Sequence, residues 1–203
     1  QVVISCSFWR EGEEHVRALC RQLAGVSRLF HQEEPAVQLH LTSISPDNPT
    51  SRELREHLRL DVSHPRVHEQ PYWEIFDLDR LVALTPDADE DLEELDARHV
   101  YVVGGLTSSS HNELKGRSLE QARLVGVKRF QRLPLKKYGP KGVHPILRIQ
   151  EVVKLLAERA KKGNWPDALA EGLPTPRVHQ PRAKRCRRGS AEVAALSRRD
   201  GEG

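Results

Sequence analysis

Residues 99–106 read HVYVVGGL, and this apolar, β-branched stretch is the strongest strand signal in the chain. Gly104 and Gly105 stand where the buried strand would end, and a backbone without side chains there lets a ligand approach closely. A glycine pair is also a common turn device, and no GxGxxG or P-loop pattern follows it. The stretch therefore predicts a strand leading into a candidate binding loop, without indicating a dinucleotide or nucleoside triphosphate site.

Strands and helices alternate on both sides of this stretch. We predict strands over residues 2–8, 36–42, 81–85 and 127–133, and helices over residues 51–60, 87–95, 117–126 and 146–161. A further helix follows the first strand, with Gly25 as its stop. The order predicts an α/β domain with a mostly parallel sheet and helices on both faces. Ligands bind such sheets beyond the carboxyl ends of the strands, which places a candidate site at the loops after Leu84, Gly105 and Pro134.

The composition indicates a globular protein rather than a membrane or disordered chain. Charged residues make up 30% and hydrophobic residues 37% of the 203 residues, and no apolar run approaches the length of a bilayer span. The cysteines show no CxxC pair and no spacing typical of zinc, so we expect neither a disulfide framework nor a metal site. This cysteine usage favours an intracellular, reducing compartment. Cys6 and Cys20 lie in apolar patterns that predict burial. We interpret the chain, which opens at Gln1 without a signal-peptide layout, as a fragment lacking its N-terminus.

Two segments near the end of the chain, residues 163–169 and 182–188, differ in composition. Residues 163–169 read GNWPDAL, in which Asn164 is suited to cap a helix and Pro166 to its first turn, so Trp165 is interpreted as a packing anchor. Residues 182–188 read RAKRCRR, and strong charge with few apolar residues cannot build a core. We therefore predict a folded domain at residues 1–173 and a basic, disordered tail at residues 174–203. The tail is suited to contact phosphates, to act as a localisation signal or merely to keep the chain soluble.

Several motifs in one order resemble the tRNA position-nine purine N1-methyltransferases of the SPOUT class. They are LVALTPDA at residues 81–88, VYVVGGL at 100–106, a Lys-Gly followed by QA within 115–122, RLPLKKY at 132–138 and GNWPDAL at 163–169. The opening VVISCSF, the helix containing CRQLAG and the stretch YWEIFDLDRLVALTPD extend the similarity upstream. The resemblance covers roughly residues 2–173.

This resemblance implies a SPOUT-like domain with a C-terminal trefoil knot that holds S-adenosylmethionine, and it implies no metal. The cofactor-binding residues that it implies are Leu84, Thr85, Gly104, Gly105, Leu106, Leu133, Pro134 and Leu135. It also implies tRNA as the partner, no membrane association and a monomeric catalytic domain. The compartment is left open between nucleus or cytoplasm and mitochondrion.

The chain departs from the family pattern at the expected general base. Relatives follow GGL and one apolar residue with an Asp, whereas Thr107 here is followed by Ser108. N1 of guanine carries a proton that a neutral serine accepts poorly, while N1 of adenine already has a free lone pair. Ser108 therefore puts guanine methylation in doubt more than adenine methylation. Glu113 and His111, in a loop about two residues longer than usual, are the candidate substitute bases.

A dense set of basic residues surrounds the implied cofactor loop. Phosphate contacts position proteins on nucleic acids, which makes these residues candidate tRNA contacts, although a solvated face is the alternative. The candidates are Lys115, Lys128, Arg129, Arg132, Lys136, Lys137 and Lys141.

Two other functional hypotheses remain beside an active methyltransferase. Because Ser108 replaces the usual carboxylate, the chain is alternatively a catalytically silent tRNA-binding subunit of a processing complex resembling RNase P. The other hypothesis is an unrelated α/β domain with a glycine pair after one strand, which would show a doubly wound sheet, no knot and no pocket near Leu133.

Overall fold

The computed structural model describes residues 1–32, 36–57, 65–107 and 114–173. Its strands are β1 (Val2–Ser5), β2 (Leu39–Thr42), β3 (Arg66–Val67), β4 (Leu81–Leu84), β5 (Glu90–Asp91), β6 (Val100–Gly104) and β7 (Arg129–Arg132). They form one seven-stranded sheet in the order β3-β2-β1-β6-β4-β7-β5. Each pairing between neighbours is parallel. The predicted parallel sheet is therefore confirmed.

Helices cover both faces of this sheet. They are α1 (Glu13–Gln32), α2 (Pro49–His57), α3 (Tyr72–Ile75), α4 (Arg117–Leu124), α5 (Leu135–Tyr138), α6 (Ile149–Lys162) and α7 (Trp165–Gly172). Side chains alternate along a strand, so Val2 and Ile4 join the larger core cluster while Val3 joins the smaller one. The larger cluster packs on α1, α6 and α7, and the smaller one contains Tyr72 of α3 and Ala122 of α4. Burial on both faces explains why the central strands are apolar throughout.

The first helix does not stop at Gly25, so that prediction is wrong. α1 continues to Gln32, and Gly25 lies within it. A Cβ at Gly25 would meet the side-chain oxygen of Gln150 on α6. Gly25 therefore lies at a contact between two packed helices rather than at a helix end.

The prediction of an acidic helix over residues 87–95 is also wrong. This segment contains β5, which pairs with β7, and Leu92 beyond it donates its N–H to the Arg132 carbonyl at 2.8 Å. The Arg132 guanidinium bonds the Asp91 carboxylate at 2.6 Å. Cross-strand pairing and this ion pair override the helical preference of the local composition.

The chain after α6 is as the sequence predicts. Asn164 precedes α7, and its side chain accepts a hydrogen bond from the Asp167 N–H at 2.9 Å. Trp165 is 2% exposed and packs in the larger core cluster. The predicted burial of Cys6 and Cys20 is likewise confirmed. The domain boundary at residue 173 and the trefoil knot stay predictions, since residues 174–203 lie outside the described ranges.

None of the helices in the described ranges combines the length and apolarity of a membrane span. In the same part of the chain, no three His, Cys, Asp or Glu side chains gather as a set of metal ligands would.

A buried histidine of β2 contacts a half-buried histidine that follows β3. His40 is 3% exposed, and its Nδ1 lies 2.9 Å from Nε2 of His68. The edge of the Phe76 ring contacts the His40 ring. Burial, together with the charges of His68 and Arg66, lowers the pKa of His40 to about 4. At neutral pH the folded protein therefore holds His40 uncharged.

Acid is expected to destabilise the protein through His40. Its pKa falls from 6.5 in the unfolded chain to about 4 in the folded one. Stability is therefore fully present above pH 6.5 and is lost as pH falls towards 4, by up to about 3 kcal/mol. Urea unfolding between pH 7 and pH 4.5 should show this loss, and His40→Gln should reduce it. His99→Gln, at a half-exposed ring, is the matched control and should keep the wild-type slope. Equal slopes in all three proteins would contradict this assignment.

Candidate functional site

Three strand ends meet at one edge of the sheet. β6, β4 and β7 are consecutive neighbours, and they end at Gly104, Leu84 and Arg132. The Thr85 N–H extends this edge by donating to the Gln131 carbonyl at 3.0 Å. The fold therefore brings together the starts of the three loops that the sequence analysis selected.

A small, open pocket lies at this edge, on the face that α4 covers. Its sheet wall includes three of the cofactor-binding residues proposed from the resemblance, Leu84, Thr85 and Gly104. The opposite wall is formed by α4 through Ser118, Gln121 and Ala122, and the remaining lining residues are Ser5, Phe8, Tyr72, Ala83 and Val102. The other five proposed residues, Gly105, Leu106, Leu133, Pro134 and Leu135, do not line it.

The α4 wall was missed by the sequence reasoning. Ser118 and Gln121 follow the Lys-Gly motif that helped to carry the resemblance, but no role was assigned to them. Their position opposite Gly104 depends on how α4 packs across the sheet. The Lys-Gly motif before α4 was the only sequence feature that could have indicated this wall. That α4 faces Gly104 is seen only in the tertiary structure.

The pocket offers neutral hydrogen-bonding groups. The Ser7 hydroxyl lies 3.0 Å from Ser5 Oγ and exchanges hydrogen bonds with the Gln121 side chain at 3.0–3.1 Å. The Tyr72 hydroxyl can donate a hydrogen bond at neutral pH, and burial raises the pKa of this phenol to about 12. The lining mixes polar and apolar groups, and among the residues that the structure describes it contains no carboxylate that would accept a proton from a substrate.

Close packing already requires the two glycines. A Cβ at Gly104 would lie 2.7 Å from the Ser118 Cβ, and a Cβ at Gly105 would overlap the Ser5 carbonyl oxygen. The Gly105 N–H donates to that same carbonyl at 2.9 Å. Backbone access for a ligand remains a prediction, because the packing accounts for both glycines without one.

The loop at residues 133–135 packs against the larger core cluster. Leu135 is 6% exposed within that cluster, and the half-buried Leu133 contacts it. The side chains of this loop therefore serve the core, and a cofactor role for its backbone stays a prediction.

The basic residues proposed for tRNA divide into two groups. Four contact other groups of the chain, mostly at the surface: Lys128 with Asp79 at 3.1 Å, Arg129 with the Asp79 carbonyl, Arg132 with Asp91, and Lys137 with Glu93 at 2.8 Å. The other three, Lys115, Lys136 and Lys141, are exposed and have no acidic partner within the described residues. Lys115 is placed by its neighbour Gly116, whose N–H donates to Asp87 at 3.1 Å.

The proposed catalytic residues Ser108 and Glu113, with the alternative His111, lie outside the described residues. The described chain ends at Thr107 on one side of them and resumes at Leu114 on the other.

Comparison with known proteins identifies relatives over most of the chain. A family model described as tRNA (guanine(9)-N(1))-methyltransferase TRM10/TRM10A matches residues 1–178. tRNA methyltransferase 10 homolog B of Mus musculus is 32% identical over an alignment of 167 residues, which covers 77% of this chain and 52% of that protein. tRNA methyltransferase 10 homolog A of Rattus norvegicus is 28% identical over 201 residues, covering 97% of this chain and 58% of that protein. The chain thus spans about half the length of the curated relatives it matches.

Solved structures show the same fold. The crystal structure of spTrm10(74) matches with a TM-score of 0.73 and 21% identity, covering 85% of this chain and 93% of that one. The complex of full-length spTrm10 with SAH gives a TM-score of 0.71 at 21% identity, covering 85% and 94%. A dual-specific Trm10 from Thermococcus kodakaraensis gives 0.65 at 18% identity, covering 85% and 99%. The unrelated doubly wound domain considered from the sequence is therefore excluded.

Proposed function

Since the chain belongs to the TRM10/TRM10A family of tRNA (guanine(9)-N(1))-methyltransferases, we propose that it methylates N1 of the purine at position nine of tRNA. The observation that carries this proposal is the neutral pocket at the joint end of β4 and β6, lined by Leu84, Thr85 and Gly104. These are residues that the motifs selected for S-adenosylmethionine. Family membership and pocket position thus support the same chemistry.

The cofactor would be held by neutral groups. We propose Leu84, Thr85 and Gly104 on the sheet wall, the following Gly105–Leu106 backbone and the Leu133-Pro134-Leu135 loop, with the missed α4 wall opposite. The Tyr72 hydroxyl and the Gln121 amide supply donors that can be matched to a nucleoside or an amino-acid group. S-adenosylmethionine supplies the methyl group, and the protein's part is to position the base nitrogen against it.

The target base depends on a proton acceptor. The described part of the pocket lining contains no carboxylate, and Ser108 stands where the family pattern implied by the resemblance has Asp. We propose that adenine is methylated without base assistance, whereas guanine needs Glu113 or His111 to accept the N1 proton. The same substitution favours one alternative, a catalytically silent tRNA-binding subunit of a processing complex resembling RNase P.

The remaining expectations are proposals of the same kind. We propose an intracellular protein with a monomeric folded domain at residues 1–173, a C-terminal trefoil knot and a basic tail at residues 174–203.

Binding of S-adenosylmethionine tests the pocket directly. Calorimetry on the 203-residue chain should show binding, and Tyr72→Phe should weaken it by roughly twofold to tenfold through the loss of one hydrogen bond. Tyr101→Phe is the matched control, because the Tyr101 hydroxyl accepts from the Asp96 N–H instead. Absence of binding by the wild-type chain, or equal binding by the Tyr72→Phe variant, would contradict the proposed site.

The two groups of basic residues predict different effects on tRNA affinity. Lys136→Gln and Lys141→Gln should each weaken tRNA binding and reduce the slope of log K against log salt by about one per lost phosphate contact. Lys128→Gln should have a smaller effect, since Asp79 already offsets that charge. Filter binding between 50 and 200 mM salt, a range chosen to expose the slope, measures all three. A larger loss at Lys128 than at Lys136 or Lys141 would contradict the assignment.

A further inference from the structure

A buried histidine contacts the chain where it leaves β6. His15 lies in the first turn of α1 and is 4% exposed. Its Nδ1 lies 3.1 Å from the hydroxyl of Thr107, which is also 4% exposed. This bond joins residues 92 positions apart. It therefore fixes α1 to the backbone just beyond the Gly104-Gly105-Leu106 segment.

The same face of α1 holds this segment at a second point. Leu19, one helical turn after His15, lies against Gly105. On the other side, the Gly105 N–H is bonded to the Ser5 carbonyl of β1. The segment is thus held by β1 at Gly105 and by α1 at Gly105 and Thr107.

The imidazole is neutral at pH 7. Burial lowers the pKa of His15, and the Gly105 backbone and the Glu11 carboxylate oppose this effect without cancelling it. A neutral ring offers one donor and one acceptor. Nδ1 is used by Thr107, while Nε2 is buried without a hydrogen-bond partner among the described residues.

Packing alone does not account for this arrangement. A buried polar pair with one nitrogen left unbonded is less favourable than two apolar side chains of similar shape. A hydrogen bond depends on the angle between its groups, so the bond to His15 fixes the orientation of Thr107, which an apolar contact would not do. The residue it orients lies three positions from the pocket residue Gly104 and directly before the Ser108 position.

We propose that His15 is a positioning residue for methyl transfer, which orients the chain after β6 through its hydrogen bond to Thr107. This inference rests on the proposed function. The role requires no contact between His15 and substrate. Losing the bond would leave the fold in place but shift the Gly105–Thr107 backbone, and small displacements at a reacting centre reduce turnover strongly.

Methyl transfer by His15 and Thr107 variants tests the inference. His15→Leu and Thr107→Val should each lower kcat by about tenfold or more while the KM for tRNA stays within about twofold. His15→Asn should restore most of kcat, since its amide places a polar atom where Nδ1 stands. The double variant His15→Leu/Thr107→Val leaves no unpaired polar group at the contact, so its melting temperature should return towards wild type while kcat stays low. Thr42→Val is the matched control, because its buried hydroxyl has no partner in the described chain.

Each outcome separates the inference from the proposed function. Wild-type kcat in the folded double variant, or equal losses in His15→Leu and His15→Asn, would overturn the positioning role alone. If single variants fail to fold, the double variant decides the question. A wild-type chain that transfers no methyl group to any tRNA would overturn the proposed function and this inference with it.

Discussion

Gly105→Ala is expected to destabilise the protein by about 3 kcal/mol or more and to abolish S-adenosylmethionine binding. The new Cβ would overlap the Ser5 carbonyl oxygen. That oxygen belongs to the backbone of the central strand β1, so it cannot move aside by a rotamer change. Relief would require β1 and β6 to separate at their carboxyl ends, which is where the pocket opens. The expected fall in melting temperature is roughly 6–12 °C for a chain of this size.

Gly25→Ala is the matched control for this prediction. Its Cβ would also meet a close neighbour, but that neighbour is the end of the flexible Gln150 side chain. Because Gln150 can change rotamer and alanine favours the helix, stability should be unchanged or should rise by up to about 1 kcal/mol. Thermal unfolding and calorimetry measure both variants. Equal stabilities for Gly105→Ala and wild type would contradict the packing explanation of the glycine pair.

Trp165→Ala should lower the free energy of unfolding by about 3–5 kcal/mol. The ring is 2% exposed, and its Nε1–H donates to the Glu93 carbonyl at 2.9 Å. Glu93 also binds Lys137 and Tyr138 of α5 through its carboxylate, at 2.8 and 3.1 Å. Removing the indole therefore opens a core cavity and releases the residue that fixes α5, the helix that begins in the 133–135 loop.

Trp165→Phe distinguishes these two contributions. It keeps most of the apolar volume and loses the bond to Glu93, so we expect about 1–2 kcal/mol of destabilisation. Trp73→Ala, at a half-buried ring against the smaller cluster, should cost less than Trp165→Ala. Urea unfolding gives all three values. A Trp165→Ala protein as stable as Trp73→Ala would contradict the anchoring role.

The sequence alone predicted the alternation that defines the fold. Apolar runs such as residues 100–103 are long enough and β-branched enough to indicate buried parallel strands. The acidic segment at 87–95 was misassigned because its composition favours a helix, while its pairing with β7 depends on distant residues such as Arg132. Gly25 was misassigned because glycine is a common helix stop, and the local sequence does not show that α1 continues past it.

The sequence predicted only the part of the candidate site that lies at the strand ends. The loops after Leu84 and Gly105 were selected because parallel strands end at one edge of the sheet. The resemblance implied Leu84, Thr85 and Gly104 as cofactor-binding residues, and that role stays a prediction. Ser118 and Gln121 were missed because they reach the site across the space between α4 and the sheet. The ion pairs Lys128–Asp79 and Lys137–Glu93 could not be predicted either, because each joins residues more than 40 positions apart.

The most direct test is methyl transfer from labelled S-adenosylmethionine to paired tRNA transcripts that carry G or A at position nine, with Glu113→Gln assayed alongside. We expect transfer to position nine, undiminished on adenine in the Glu113→Gln variant and reduced on guanine if Glu113 is the substitute base. No transfer to either transcript, by a chain that binds both tRNA and S-adenosylmethionine, would contradict the account and favour the silent tRNA-binding subunit.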